Sequence, residues 1–284
     1  MNKRPLEELF FATFREKQTF SEFLKLDMES EYSRGDYDGR SIYSPNKNLK
    51  LYLSFLSRVL FDRLPVAKEV VFSYRKGVNV VDAVEKHGDN KYFFQSDIKN
   101  FFGSISRDII GKAILSSLEV CPVADIDCWL DRILDMVTVD GFLPPGFPTS
   151  PAISNACLYK FDKRFLTWCN GNGLVYTRYA DDLIVSSMEG DSMRLLIPHI
   201  DNLLAEEFGG VIKLNVQKTK FMRPGEKVKI LGVAILPNGK VSVDGRIKKD
   251  SETAMYWLLK DKESFISFLK EADMDKALKK FAGR

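Results

Sequence analysis

Leu174-Val175-Tyr176-Thr177-Arg178-Tyr179-Ala180-Asp181-Asp182-Leu183-Ile184-Val185-Ser186-Ser187 has the pattern of a strand, a tight turn and a returning strand, with Tyr179-Ala180-Asp181-Asp182 at the bend. Two adjacent acids flanked by Tyr179 and Leu183-Ile184-Val185 are hard to explain as a solvated loop. Like charges this close to a core need a cation or a proton to coexist. Upstream, the apolar and aromatic run Lys91 to Ser96 leads straight into Asp97, the pattern of a core strand that delivers an acid at its C-terminal end. Side by side, the two strands would bring three carboxylates to one edge of a sheet. Oxygen ligands of that kind suit magnesium, and two ions about 4 Å apart can activate an attacking hydroxyl and steady a leaving pyrophosphate. An Asp-Asp dipeptide taken alone fits a surface turn better.

Around this centre the pattern is mixed. Met1 to Phe20 is expected to form an amphipathic helix, and residues 49–64, with Leu49, Leu53, Leu56, Leu60 and Leu64, a helix ending before Pro65. Further helices are expected over 107–118, 126–137 and 193–208. After Pro144-Pro145-Gly146-Phe147-Pro148, Ser150 and Pro151 suit an N-cap and first turn. Ile153, Cys157, Phe161, Phe165 and Cys169 then recur every four residues along one helix. A strand pair is expected around 228–243, and two short amphipathic helices in the last forty residues.

The 284 residues are 45% hydrophobic and 29% charged, which excludes disorder and collagen-like or coiled-coil architectures. The longest apolar run, near Gly232 to Leu236, is far below the roughly 20 residues of a membrane span. With no signal peptide visible, a soluble cytoplasmic protein is expected, with no membrane partner. Cys121, Cys128, Cys157 and Cys169 match no zinc spacing and are expected as reduced, buried thiols. His87 and His199 are the only histidines, so metal or hydrolytic chemistry falls to carboxylates. The net charge of +3 hides balances of −3, +6, −8 and +8 over residues 1–39, 40–76, 77–212 and 213–284. An acidic centre between basic flanks suits a cation site gripped by phosphate-binding surfaces, although ordinary surface charge gives the same sums.

Tyr179-Ala180-Asp181-Asp182 resembles the Y-x-D-D box of reverse transcriptases, and further elements follow that family's order. Gly39-Arg40-Ser41-Ile42-Tyr43-Ser44-Pro45 with Leu49-Lys50 resembles its G-x-R-x-I-x-x-P-x-x-x-L-K fingers motif. Ser96-Asp97-Ile98-Lys99-Asn100-Phe101-Phe102 resembles the first catalytic motif of the bacterial members. Gly146-Phe147-Pro148-Thr149-Ser150-Pro151 with Ser154-Asn155 resembles G-x-P-T-S-P-x-x-S-N, and Leu214-Asn215-Val216-Gln217-Lys218-Thr219-Lys220 resembles L-x-x-x-K-T-K. The set covers roughly residues 34–245.

The resemblance implies an α+β right-hand polymerase. Fingers would span 1–91, with part of 103–145 packed on them, a ferredoxin-like palm 92–235 and a short helical thumb 236–284. It implies RNA-directed DNA synthesis from dNTPs with two Mg2+ ions, for which Mn2+ can substitute. Asp97, Asp181 and Asp182 would be catalytic and, with the main chain at Ile98, hold metal. Arg40 and Arg34 would hold the triphosphate, a task that suits a guanidinium fork; a surface salt bridge competes for Arg40. Phe102 would sit under the sugar and exclude a 2′-hydroxyl, while one of Phe101 and Phe102 serves the core. Ile98, Gly146 and Pro148 would line the nucleotide site, with Lys218 near the leaving phosphate. Lys50, Ser154, Asn155, Tyr179, Lys240, Arg246, Lys248 and Lys249 would meet nucleic acid, a solvated basic face being the competing reading for the last four.

Some positions depart from the family pattern. Leu143-Pro144-Pro145-Gly146 places proline where many relatives have glutamine, Asp82-Ala83 with His87 stands near an N-A-x-x-H box, and Ile230-Leu231-Gly232 replaces V-T-G. A bacterial retron-type or defence-associated (antiphage) enzyme is implied, with a structured noncoding RNA as template or primer, a DNA product and room for an effector protein. Oligomeric state is not legible. No space is expected for an RNase H, maturase or endonuclease domain. Weakly templated or protein-primed synthesis, or an RNA-binding scaffold without activity, are the alternatives. His87 and His199 are expected to be structural.

Overall fold

The computed structural model describes residues 3–37, 39–223, 228–236 and 238–243. The two expected C-terminal helices, and with them Arg246, Lys248 and Lys249, lie outside the described residues. The chain divides into two compact units, residues 1–226 and 227–284.

The first unit opens with α1 (Leu6–Phe14) and α2 (Phe20–Lys25). The single helix expected over 1–20 stops early because Arg15 and Glu16 adopt left-handed backbone angles. The chain restarts at a capping box in which Thr19 accepts from the Glu22 amide and Glu22 from the Thr19 amide. The turn folds Phe10, Phe14, Phe20 and Phe23 onto Tyr52 and Phe55 of α3 (Lys47–Val59), with ring centroids 4.5–6.1 Å apart around Phe10. Between them, β1 (Tyr32–Tyr37) and β2 (Arg40–Pro45) form a mostly exposed two-stranded ribbon. α4 (Val80–Glu85) follows, capped by Asn79 and Asp82.

The central sheet is built from β3 (Tyr92–Asp97), β4 (Val175–Tyr179), β5 (Asp182–Ser187) and β6 (Lys220–Met222), all antiparallel, in the order β4-β5-β3-β6. Helical connections join β3 to β4 and β5 to β6, so the connectivity is β-α-β-β-α-β, ferredoxin-like. The first connection holds α5 (Phe101–Ser104), α6 (Arg107–Leu115), α7 (Ile126–Val137), α8 (Ser150–Cys157) and α9 (Tyr159–Gly171); the second holds α10 (Leu196–Phe208). One apolar core runs from Leu6 through Leu56, Phe94, Ile133, Phe161 and Val185 to Leu214.

The helix expected to run unbroken through Cys169 is two helices separated at buried Leu158. Ser150 does not cap: its hydroxyl donates to the Pro144 carbonyl at 2.6 Å. Six of the eight α8 residues are buried, more than the single face that the four-residue spacing describes. Cys128 is exposed, against the expectation for all four thiols; Cys121, Cys157 and Cys169 are buried and free, and burial pushes the Cys157 thiol up to about 12. In the second unit, β7 (Val228–Ile230), β8 (Val233–Ile235) and β9 (Val241–Val243) make a three-stranded antiparallel sheet where a strand pair is expected. Among the described residues no helix is long and apolar enough to cross a membrane.

Candidate active site

Asp97 is the last residue of β3 and Asp182 the first of β5, and the register makes them direct cross-strand partners. Side chains so paired share a face with their Cβ atoms about 4.5–5.5 Å apart. Asp181 precedes in the turn, and its carbonyl accepts the Ile98 amide at 3.0 Å. The turn is tight because Tyr179 pairs with Asp182, leaving two residues at the tip. Ala180 carries a positive φ of 57° there, a conformation that costs a non-glycine residue roughly 1–2 kcal/mol.

Asp97 Oδ2 accepts from Lys218 Nζ at 3.2 Å and Asn215 Nδ2 at 3.4 Å, while its Oδ1 is buried with no partner. Asp182 Oδ1 accepts from Gln95 Nε2 at 3.2 Å. Burial pushes the Asp182 carboxyl up to about 6, over the opposing Gln95 bond and with the charges of Asp181 and Asp97 adding to the rise. Asp181 is also raised, by burial and then by Asp97, while Arg40 and Lys218 pull it down. Among the described residues no group of three or more His, Cys, Asp or Glu side chains, these three acids included, is placed to hold a metal ion as it stands. An orphaned carboxylate oxygen beside two carboxyls that resist ionising nevertheless fits a hard cation, which would satisfy the one and relieve the other two.

Arg40 and Arg34 do not converge. Arg40 pairs with Tyr37 and Arg34 with Tyr43, which sets the guanidiniums on opposite faces of the ribbon. Arg40 is the one whose charge is felt at Asp181. Arg34 Nε donates to Ser41 Oγ at 3.0 Å, and its guanidinium lies 6.0 Å from the Tyr43 ring centroid. Phe101 is core and Phe102 half-buried; the division follows a short helix begun by left-handed Asn100, where an extended segment is expected. Ile98 has its side chain in the core. Gly146 is exposed and lies against the ribbon on one side: its φ is 106°, and a Cβ there would run into the Tyr43 carbonyl oxygen and come within 3.1 Å of Ile42 Cγ2. Pro148 is half-buried nearby, and Lys218 is largely exposed apart from its bond to Asp97.

Lys50 is exposed on α3 and Lys240 on the β8–β9 turn, and Tyr179 is half-buried opposite Asp182. Ser154 and Asn155, expected to meet nucleic acid, have their side chains engaged within the protein. Both are buried, the Ser154 hydroxyl donating to the Pro151 carbonyl and Asn155 Nδ2 to the Ser73 carbonyl at 3.0 Å.

Sequence reasoning missed the groups that hold the hairpin. Arg178 and Asp162 are both wholly buried and paired, with Nε to Oδ1 at 2.8 Å and Nη2 to Oδ2 at 2.7 Å. Arg178 Nη1 also donates to Asn155 Oδ1 at 3.2 Å and to the Ala180 carbonyl at 2.9 Å, and Tyr176 donates to Asp162 Oδ1 at 2.8 Å. On the other face of the hairpin, His87 Nδ1 meets Ser186 Oγ at 2.6 Å and Nε2 meets Thr177 Oγ1 at 2.8 Å, tying β5 to β4. A charged residue inside a strand that otherwise alternates is the signal that could have exposed Arg178. His199 stacks on Trp168, with centroids 4.1 Å apart.

Residues 36–235 match the family model described as "Reverse transcriptase (RNA-dependent DNA polymerase)". Curated relatives include the retron Ec83 reverse transcriptase of Escherichia coli, 28% identical over 198 residues, 66% of this chain and 62% of that protein. The retron Ec73 reverse transcriptase of the same organism is 25% identical over 82% of this chain and 79% of its own length. The retron Mx162 reverse transcriptase of Myxococcus xanthus is 26% identical over 85% and 53%. The match thus spans less than two thirds of the Ec83 and Mx162 proteins. Among solved structures, apo telomerase from Candida tropicalis truncated from its C-terminal domain superposes with a TM-score of 0.50 at 12% identity, covering 75% of this chain and 54% of that one, a likeness of fold.

Proposed function

The chain belongs to the reverse transcriptase family, and on that premise we propose that it is an RNA-directed DNA polymerase that extends a 3′-hydroxyl with dNTPs. The observation that carries this reading is the cross-strand pairing of Asp97 with Asp182 beside Asp181, with one Asp97 oxygen buried and unpartnered. Asp97, Asp181 and Asp182 would hold divalent magnesium, with the Ile98 carbonyl as a main-chain ligand. Bound there, the ions supply Lewis-acid activation of the attacking hydroxyl and charge neutralisation at the leaving pyrophosphate.

The chain's own residues do the rest. Lys218, which donates to Asp97 and is otherwise largely exposed, would be the cation to meet the leaving phosphate, and Arg40 would offer a fork for the phosphate oxygens. Phe102, half-buried on the core, stands as the barrier to a ribose 2′-hydroxyl. Exposed Lys50 and Lys240 supply the salt-sensitive attraction to a template-primer backbone. The relatives named above are retron reverse transcriptases; a structured noncoding RNA as template or primer and a role in antiphage defence are proposed for this chain from the resemblance of its motifs to the bacterial members of the family.

Primer extension on an RNA template tests the reading. Labelled product that needs Mg2+ and dNTPs and vanishes in Asp181→Asn is the expected result. Absence of product from folded protein, or product indifferent to Asp181→Asn, overturns it. Sequencing of copurifying nucleic acid is expected to return one structured RNA; a mixture without a common sequence favours untemplated or protein-primed synthesis.

A further inference from the structure

We infer that the buried Arg178–Asp162 pair is a positioning device for the catalytic turn: it holds strained Ala180 in place and so sets Asp181 and Asp182 against Asp97 for metal. The inference rests on the polymerase reading above. Four hydrogen bonds leave the Arg178 guanidinium, three to the side chains of Asp162 and Asn155 and one to the Ala180 carbonyl. That last bond takes up the carbonyl of the residue whose backbone is left-handed, one position before Asp181. The main chain of Arg178 is fastened as well, its amide donating to the Val70 carbonyl at 2.8 Å and its carbonyl accepting from the Phe72 amide at 3.0 Å. The far end of the pair is equally fixed, since Asp162 lies on α9 and also accepts from Tyr176.

Stability alone does not account for this arrangement. A buried ion pair gains little over well-packed apolar residues of the same volume, because both charges must be stripped of water. What it supplies is a fixed geometry, here delivered to a turn whose backbone would otherwise relax. Keeping the charge while losing the bidentate fork is therefore the informative perturbation: lysine keeps the charge of Arg178 but cannot bond two Asp162 oxygens and the Ala180 carbonyl together.

The test uses the full chain and two readouts: Mn2+ binding without substrates, followed by electron paramagnetic resonance, and the Mg2+ midpoint of primer extension. Arg178→Lys is expected to weaken Mn2+ binding about tenfold and to raise the Mg2+ midpoint by a similar factor, the effect of losing a group that orients metal ligands. Ile114→Ala, a core truncation in α6, is expected to lower the melting temperature without moving either readout. If Arg178→Lys fails to fold, Arg178→Met combined with Asp162→Leu removes both charges together, and a folded double variant with weak Mn2+ binding supports the inference. Wild-type Mn2+ affinity and Mg2+ midpoint in a folded variant of either kind overturn it. A wild-type chain that binds Mn2+ but makes no DNA defeats the polymerase reading instead, and leaves the Mn2+ comparison to judge the pair.

Discussion

The Tyr43 amide donates to the Pro145 carbonyl at 2.9 Å, which locks the exposed β1–β2 ribbon onto the turn that ends in Gly146. Gly146 has no room for a side chain against the Tyr43 carbonyl and holds a backbone angle that favours glycine. Gly146→Ala is expected to cost about 2–4 kcal/mol in urea unfolding and to raise the KM for dNTPs by detaching Arg40 from its place. Unchanged stability together with unchanged KM would show that the contact is dispensable.

Asp182 has its folded pKa raised to about 6 from 3.8, so the folded state holds that proton more tightly than the unfolded chain. Ionising it therefore costs stability as pH rises from about 4 through 6, a penalty of order 2–3 kcal/mol at neutral pH without metal. Asp182→Asn should raise the melting temperature at pH 7 by a few degrees while abolishing DNA synthesis. By the same linkage, Mg2+ must displace a proton below pH 6, and its affinity is expected to fall about tenfold per pH unit there. Calorimetric titration at pH 5, 6 and 7 reads this directly, and a flat profile refutes it.

His87 moves in the other sense. Burial lowers it to about 3, so it is neutral between Ser186 and Thr177 while the unfolded histidine titrates near 6.5. Its stabilising contribution is complete above pH 6.5 and drains away as pH falls toward 3, by a few kcal/mol in all. In His87→Gln, which does not titrate, the unfolding free energy should fall less between pH 6.5 and 4 than in the wild type. Parallel curves would mean that His87 is not the group responsible.

Phe102→Ala should open the space under the sugar and raise NTP use relative to dNTP use by about tenfold or more. Competition assays with paired ribo- and deoxynucleotides measure the ratio. No change would transfer the gate to another residue.

Arg40 and Arg34 face opposite ways on the ribbon, so their alanine variants should differ. Arg40→Ala is expected to raise the KM for dNTPs about tenfold or more, and Arg34→Ala by less than about threefold. Equal effects from the two would mean that the ribbon twists to present both faces.

The three acids were legible because a strand ending in Asp97 and a hairpin tipped by Asp181-Asp182 each announce themselves by apolar alternation beside a charge. The helix over 126–137 was legible to the residue for the same reason of strong periodicity. What stayed hidden depends on contacts distant in the chain. Arg178 and Asp162 lie 16 residues apart on different elements. Gly146 meets a strand about a hundred residues earlier. Asn155 is polar yet buried, because its partner is a main-chain carbonyl at Ser73 that no local pattern advertises. The split of the helix at Leu158 escaped for a related reason, since apolar spacing continues across the break.

Both acid-bearing strands are interior to the sheet, with β4 on one flank and β6 on the other. A strand clasped along both sides cannot slip by one residue without turning its whole row of side chains over, and for β5 that would send Asp182 away from Asp97. The chemistry is thus anchored to the least adjustable part of the molecule. In the proposed polymerase, the outward side chains of the ribbon are where substitution alters what is admitted while these two strands stay as they are.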